Sequence, residues 1–173
     1  MNADKLRNVE FFKFLSDEER AELVEAAELA VFRPGEFLIE EGAALSSFFV
    51  LTSGRVEVHK RIPGRGDKLL AVLDAMNERT LVGELSLLDD GVASATVSAQ
   101  GEAEAVKIPR ETFQTMIQEG RPAAFKLAYR ISHILAGRLA RMNEEVVEIV
   151  RDLESRGEPE LEAFRKLLTE WSV

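Results

Sequence analysis

Hydrophobic and polar positions change rhythm twice along this chain, dividing it into a helical start, a strand-rich middle and a helical end. Ser16-Asp17-Glu18-Glu19 has the Ser-x-x-Glu form of a capping box, in which hydroxyl and carboxylate each satisfy a free N–H of the first turn. It opens a predicted helix over Asp17–Leu29, with Leu23, Ala26, Ala27 and Ala30 recurring at helical spacing. Just before it, Val9, Phe11, Phe12, Phe14 and Leu15 form a dense apolar cluster. They are read as core, in a short helix or turn packed on the domain.

From Val31 to Pro109 the runs shorten and turn residues punctuate them. Pro34-Gly35, Glu41-Gly42 and Ser53-Gly54 mark three turns around Phe37-Leu38-Ile39 and Phe48-Phe49-Val50-Leu51. Arg55 to Lys60 alternates, with Val56 and Val58 on one face and Glu57 and His59 on the other. Pro63 to Asp67 is a loop, and Lys68 to Leu73 returns as a strand. Val92–Ala99 and Ala103–Ile108, around Gln100-Gly101-Glu102, carry a hairpin signal. Many short strands at close spacing suggest a barrel or roll, although periodicity alone does not separate a roll from a sandwich.

Helical spacing returns after Pro109. Glu111–Gln118 is a short helix ending near Gly120, and Pro122 suits the first turn of a much longer one, because its missing N–H is unpaired there anyway. That helix runs to about Ser155, with Gly157 as its stop. Leu135, Leu139, Met142, Val146, Ile149 and Leu153 are spaced 4, 3, 4, 3, 4, the seam of a two-stranded coiled coil. A helix lying on its own β-domain would carry a similar stripe, but this one outlasts what a small roll covers. A last amphipathic piece after Pro159 presents Leu161, Phe164, Leu167, Leu168 and Trp171. The expected organisation is therefore a strand-rich domain with N-terminal helices over 1–120, a dimerisation helix over 121–156 and a short helix over 157–173.

Charge and composition narrow the function. The net charge is −9 with no long basic run, which argues against nucleic acid as the principal partner, since duplex binders neutralise phosphates with a basic patch. The absence of cysteine excludes disulfides, iron–sulfur clusters and thiolate metal sites, and no metal site is expected. The charged start Met1–Glu10 lacks an apolar signal core, and nothing approaches the roughly 18 apolar residues of a membrane span. A cytoplasmic protein without membrane contact is the expectation. No Ser/His/Asp or paired-acid arrangement is visible, so no enzyme is expected.

The order of elements and its glycines resembles the cyclic-nucleotide-binding domains of the catabolite-activator and protein-kinase-A regulatory-subunit superfamily, over roughly residues 8 to 155. Matching runs are Phe12 to Ser16, Pro34 to Gly42, Phe48 to Val58, Val82-Gly83-Glu84-Leu85-Ser86-Leu87-Leu88 and Ser94-Ala95-Thr96-Val97. Each alone is weak, but their joint order and spacing are specific. The resemblance implies an α+β fold, a jelly-roll-like β-roll flanked by helices with a long C-terminal helix. It also implies a ligand pocket in which the Gly-Glu-Leu turn (here Gly83, Glu84, Leu85, leading into Ser86) offers helix N–H groups to a cyclic phosphate, as helix N-termini do for anions. Glu84 then accepts from the ribose 2′-hydroxyl, and Ser94, followed by Ala95, helps hold the phosphate.

The family's phosphate-neutralising arginine, nine residues after the glutamate, is here Ala93. A charge-assisted hydrogen bond contributes about 1.5–3 kcal/mol. At about 1.4 kcal/mol per tenfold, its loss weakens binding by roughly ten- to a hundredfold. Asp89 and Asp90 have the wrong sign to compensate, and Arg79, where the family has glycine, is the nearest alternative cation. On the long helix the resemblance places Met142 and Asn143 where two hydroxyl residues touch the base, and only Asn143 retains a hydrogen-bonding group. About 18 residues follow Ser155, too few for the activator's helix-turn-helix module. With His59 and His133 as the only histidines, haem sensing is not expected. The expected protein is a non-catalytic regulatory or scaffold homodimer that binds a partner protein. It has no certain cofactor, and its binding of cyclic AMP or cyclic GMP is weak. The alternative is a sensor of cyclic nucleotides or nucleosides through a non-standard pocket.

Overall fold

The computed structural model describes residues 6–76, 80–87 and 92–156. Its capping box forms as expected: Glu19 N–H donates to Ser16 Oγ (3.2 Å) and Ser16 N–H to Glu19 Oε2 (2.7 Å), opening helix α1 over Asp17–Ala26. The apolar cluster ahead of it contains a 3-10 turn, Glu10–Phe12, with Phe11 and Phe12 buried.

Helix α1 ends three residues before the predicted Leu29. Ala27 turns extended, and strand β1 occupies Glu28–Phe32, so Leu29 and Ala30 belong to a strand. Alanine and leucine fit either period; pairing with a distant strand, Leu29 opposite Val106 and Ala30 opposite Ala105, decides between them.

The remaining strands are β2 (Phe37–Ile39), β3 (Ser47–Ser53), β4 (Arg55–Ile62), β5 (Gly66–Asp74), β6 (Leu81–Val82), β7 (Thr96–Ala99) and β8 (Ala103–Pro109). They form two antiparallel four-stranded sheets in the orders β1-β8-β3-β6 and β2-β7-β4-β5. This is the jelly-roll-like β-roll the resemblance implied. The hairpin expected around Gln100-Gly101-Glu102 does not form. β7 pairs with β2 and β4, whereas β8 pairs with β1 and β3, so the turn carries the chain from one sheet to the other. Gly54 sits against this crossing at φ +80°, where a Cβ would fall 2.2 Å from the Glu102 carbonyl oxygen. Only glycine combines that backbone with that approach.

Between the sheets, Phe49, Leu51, Val82, Ala103 and Ala105 of one meet Leu38, Ile39, Val56, Leu73, Val97 and Ala99 of the other. Alternation sends Phe48, Val50, Val106 and Ile108 to the opposite face of the first sheet, where all four are buried. There Phe48 meets Phe113 of helix α2 (Arg110–Gln118) edge to face, with ring centroids 5.5 Å apart. Phe48→Ala should therefore cost about 3–5 kcal/mol of stability, read as a lower denaturation midpoint in urea.

Helix α3 spans Pro122–Arg156. The chain divides into two compact units, Met1–Ala128 and Tyr129–Val173. Within the first, Ala123, Ala124 and Leu127 of α3 are fully buried, and Lys126 Nζ lies 2.7 Å from Glu19 Oε1. The amphipathic piece expected after Pro159 lies outside the described residues.

Candidate ligand pocket

Two separated stretches of the first unit converge on the β2–β3 connection. The first is the Gly-Glu-Leu turn. β6 ends at Val82, Gly83 takes φ +77°, and the chain enters a 3-10 turn over Glu84–Leu87. A Cβ at Gly83 would stand 3.1 Å from both Ile39 Cδ1 and the Ser47 carbonyl oxygen, so the left-handed backbone and the tight packing both call for glycine. Glu84 is buried, Leu85 is half exposed, and Ser86 lies within the turn. A cavity of about 270 Å³ opens alongside, lined in part by Ile39, Leu45, Ser47, Phe49 and Lys107.

The second stretch is Val92 to Ala95. Ala93 donates its N–H to the Ala43 carbonyl (2.8 Å) and accepts from Gly42 N–H (2.9 Å), and Val92 bridges to Ala44. Its methyl is buried in the core between the sheets, whereas Ser94 is exposed and Ala95 half-buried. Residues 39–47 thus gather Gly83 and Ala93 onto one element, although ten positions separate them in the chain. Arg79, Asp89 and Asp90 lie outside the described residues. Asn143, on α3 in the second unit, is exposed.

The sequence reading missed a cation at this place. Lys60 Nζ donates to the Ser94 carbonyl (2.6 Å) and pairs with Glu41 Oε1 (2.7 Å), while Arg61 N–H donates to Glu41 Oε2 (2.8 Å). Glu41 N–H in turn donates to Thr96 Oγ1 (3.0 Å). Lys60 lies two residues after Val58 on the same strand, and its carboxylate partner, in the turn after β2, is set by a contact that no local pattern carries. The Arg61 backbone N–H, and after it the Lys60 amine, hold the Glu41 carboxyl below the usual glutamate range. A depressed carboxyl adds stability that is present above its unfolded value, about 4.5, and disappears as pH falls through the lower folded one. The melting-temperature gap between the parent and Glu41→Gln should accordingly be widest near pH 6 and close toward pH 3.

The positions expected at a dimer seam occupy one stripe of α3. Leu139, Met142 and Ile149 are 50%, 46% and 54% exposed, and Leu135, Val146 and Leu153 are partly buried. Among the described residues no helix is long and apolar enough to cross a membrane, and no cluster of three or more His, Cys, Asp or Glu could hold a metal.

The family model described as "Cyclic nucleotide-binding domain" matches residues 29–120, more than half of the chain. This chain belongs to that family. Among curated relatives, the human cGMP-dependent protein kinase 2 is 28% identical over 113 residues, which are 65% of this chain and 15% of the kinase. Among solved structures, a cyclic nucleotide-binding domain from Methylobacillus flagellatus shares the fold with a TM-score of 0.71 and 20% identity, over 84% of this chain and 80% of that one. A regulatory subunit of a cAMP-independent protein kinase A from Trypanosoma brucei, a triple mutant bound to cAMP, aligns with a TM-score of 0.61 and 22% identity, over 79% and 49%. The matched segment spans only 15% of the human kinase's length.

Proposed function

We propose that this chain is a non-catalytic, cytoplasmic regulatory or scaffold protein whose cyclic-nucleotide pocket is weakened at Ala93, and that it acts through homodimerisation and binding of a partner protein. One observation carries the reading. The position that in the family neutralises the phosphate holds a buried methyl group, and the nearby Lys60 is already matched by the Glu41 carboxylate. Among the described residues, an anion at that position meets a methyl group and an ammonium that already holds a carboxylate, and desolvating it without a matched cation is unfavourable. The half-exposed Leu139, Met142 and Ile149 support the dimer, since soluble proteins tend to cover a continuous apolar stripe. The fold also serves a relative described as cAMP-independent.

A sensor is the second reading, favoured by the retained Gly83 turn and buried Glu84, which suit a ribose more than they suit nothing. Titration calorimetry of the purified protein against cyclic AMP, cyclic GMP and adenosine separates the two. The first reading expects no cyclic-nucleotide affinity tighter than the high micromolar range; submicromolar binding selects the sensor.

A further inference from the structure

Lys60, partly exposed toward the end of β4, reaches the turn that follows β2. β4 pairs with β7 from Val56↔Ala99 to His59↔Thr96, and its register against β5 shifts between Val58 and His59. Val56 and Val58 pack in the inter-sheet core, and Lys60 lies two residues further along the strand. Glu57 and His59 take the other face, where their side chains meet at 3.0 Å. The Lys60 ammonium pairs with the Glu41 carboxylate at 2.7 Å.

That carboxylate marks an anion position. Two donors from β4 converge on it, the Lys60 ammonium and the Arg61 backbone N–H, and the same ammonium touches the carbonyl of Ser94, the residue next to Ala93. The turn that carries Glu41 is anchored by its backbone: Glu41 N–H is held by Thr96 Oγ1 and Gly42 N–H by the Ala93 carbonyl. The Glu41 side chain can therefore swing away without the turn coming loose, and Lys60, at 41% exposure, is within reach of solvent.

We propose that Lys60 is the anion-binding cation of this pocket and that Glu41 is its built-in competitor. A phosphate-bearing small molecule enters by replacing the Glu41 carboxylate on the Lys60 ammonium and the Arg61 N–H. This rests on the reading that the pocket is weakened at Ala93, and adds that an internal carboxylate holds the Lys60 ammonium.

The test is calorimetry with cyclic AMP, and with adenosine as the uncharged control. Glu41→Gln should bind cyclic AMP at least about tenfold more tightly than the parent and leave adenosine unchanged, since one charge-assisted contact is worth about that factor or more. Adding Lys60→Met should abolish the gain, and adding Lys60→Arg should keep it. Glu41→Ala serves equally if the glutamine variant does not fold. No gain, a gain that survives Lys60→Met, or an equal gain for adenosine overturns the proposal. If Ala93→Arg strengthens binding while Glu41→Gln does not, this inference falls and the reading of the pocket stands. If the parent already binds submicromolar cyclic AMP, that reading falls. Lys60→Met then still decides the inference: loss of binding upholds it and unchanged binding overturns it.

Discussion

Ala93→Arg should raise cyclic AMP affinity by roughly ten- to a hundredfold over a parent that binds no tighter than high micromolar. The size follows from one restored charge-assisted contact of about 1.5–3 kcal/mol, at about 1.4 kcal/mol per tenfold. The rest of the pocket is in place to use it. Gly83 makes its left-handed turn against Ile39 and Ser47, Glu84 follows it, and Ser94 is exposed beside the substituted position. Ala93 is held by backbone bonds to Gly42 and Ala43, so the new side chain starts from a fixed point. Its methyl already lies in the inter-sheet core, so the longer stem also risks overpacking, and a melting curve should accompany the titration. A folded variant with no gain would remove Ala93 as the cause of weak binding.

Val146→Glu combined with Ile149→Glu should convert a homodimer into a monomer. In a parallel pair each of these residues meets its own copy, so the double change sets carboxylates against carboxylates within a seam. The expected effect is large because a large apolar side chain contributes about 1.5–3 kcal/mol when fully buried, and Leu139, Met142 and Ile149 are each about half exposed on one α3. Mass in solution at tens of micromolar, by light scattering or sedimentation, reads the outcome. A monomeric parent would overturn the arrangement, and a variant that stays dimeric would move the contact elsewhere on the chain.

The two misread elements share one cause. The end of α1 and the turn at Gln100-Gly101-Glu102 were each judged from a few neighbouring residues, and each was decided by strands far away in the chain. Leu29 and Ala30 suit a helix as well as a strand until β8 offers them partners. Gln100-Gly101-Glu102 has the composition of a hairpin loop, yet β7 and β8 belong to different sheets, because β4 and β3 claim them separately. Local composition carries no information about which sheet a strand will join.

The candidate site divides in the same way. The order of residues alone carries the chemistry of the 83–95 segment: the Gly83-Glu84-Leu85 run, the serine at 94 and the uncharged residue at 93. It also determined the capping box of α1 and the apolar stripe of α3. Each depends on residues a few positions apart, whose geometry the backbone period settles before any folding. Only the tertiary structure decided that Gly83 and Ala93 both rest on residues 39–47, and that Lys60 meets Glu41. Those contacts follow from strand register, and register is set by the burial of whole sheet faces.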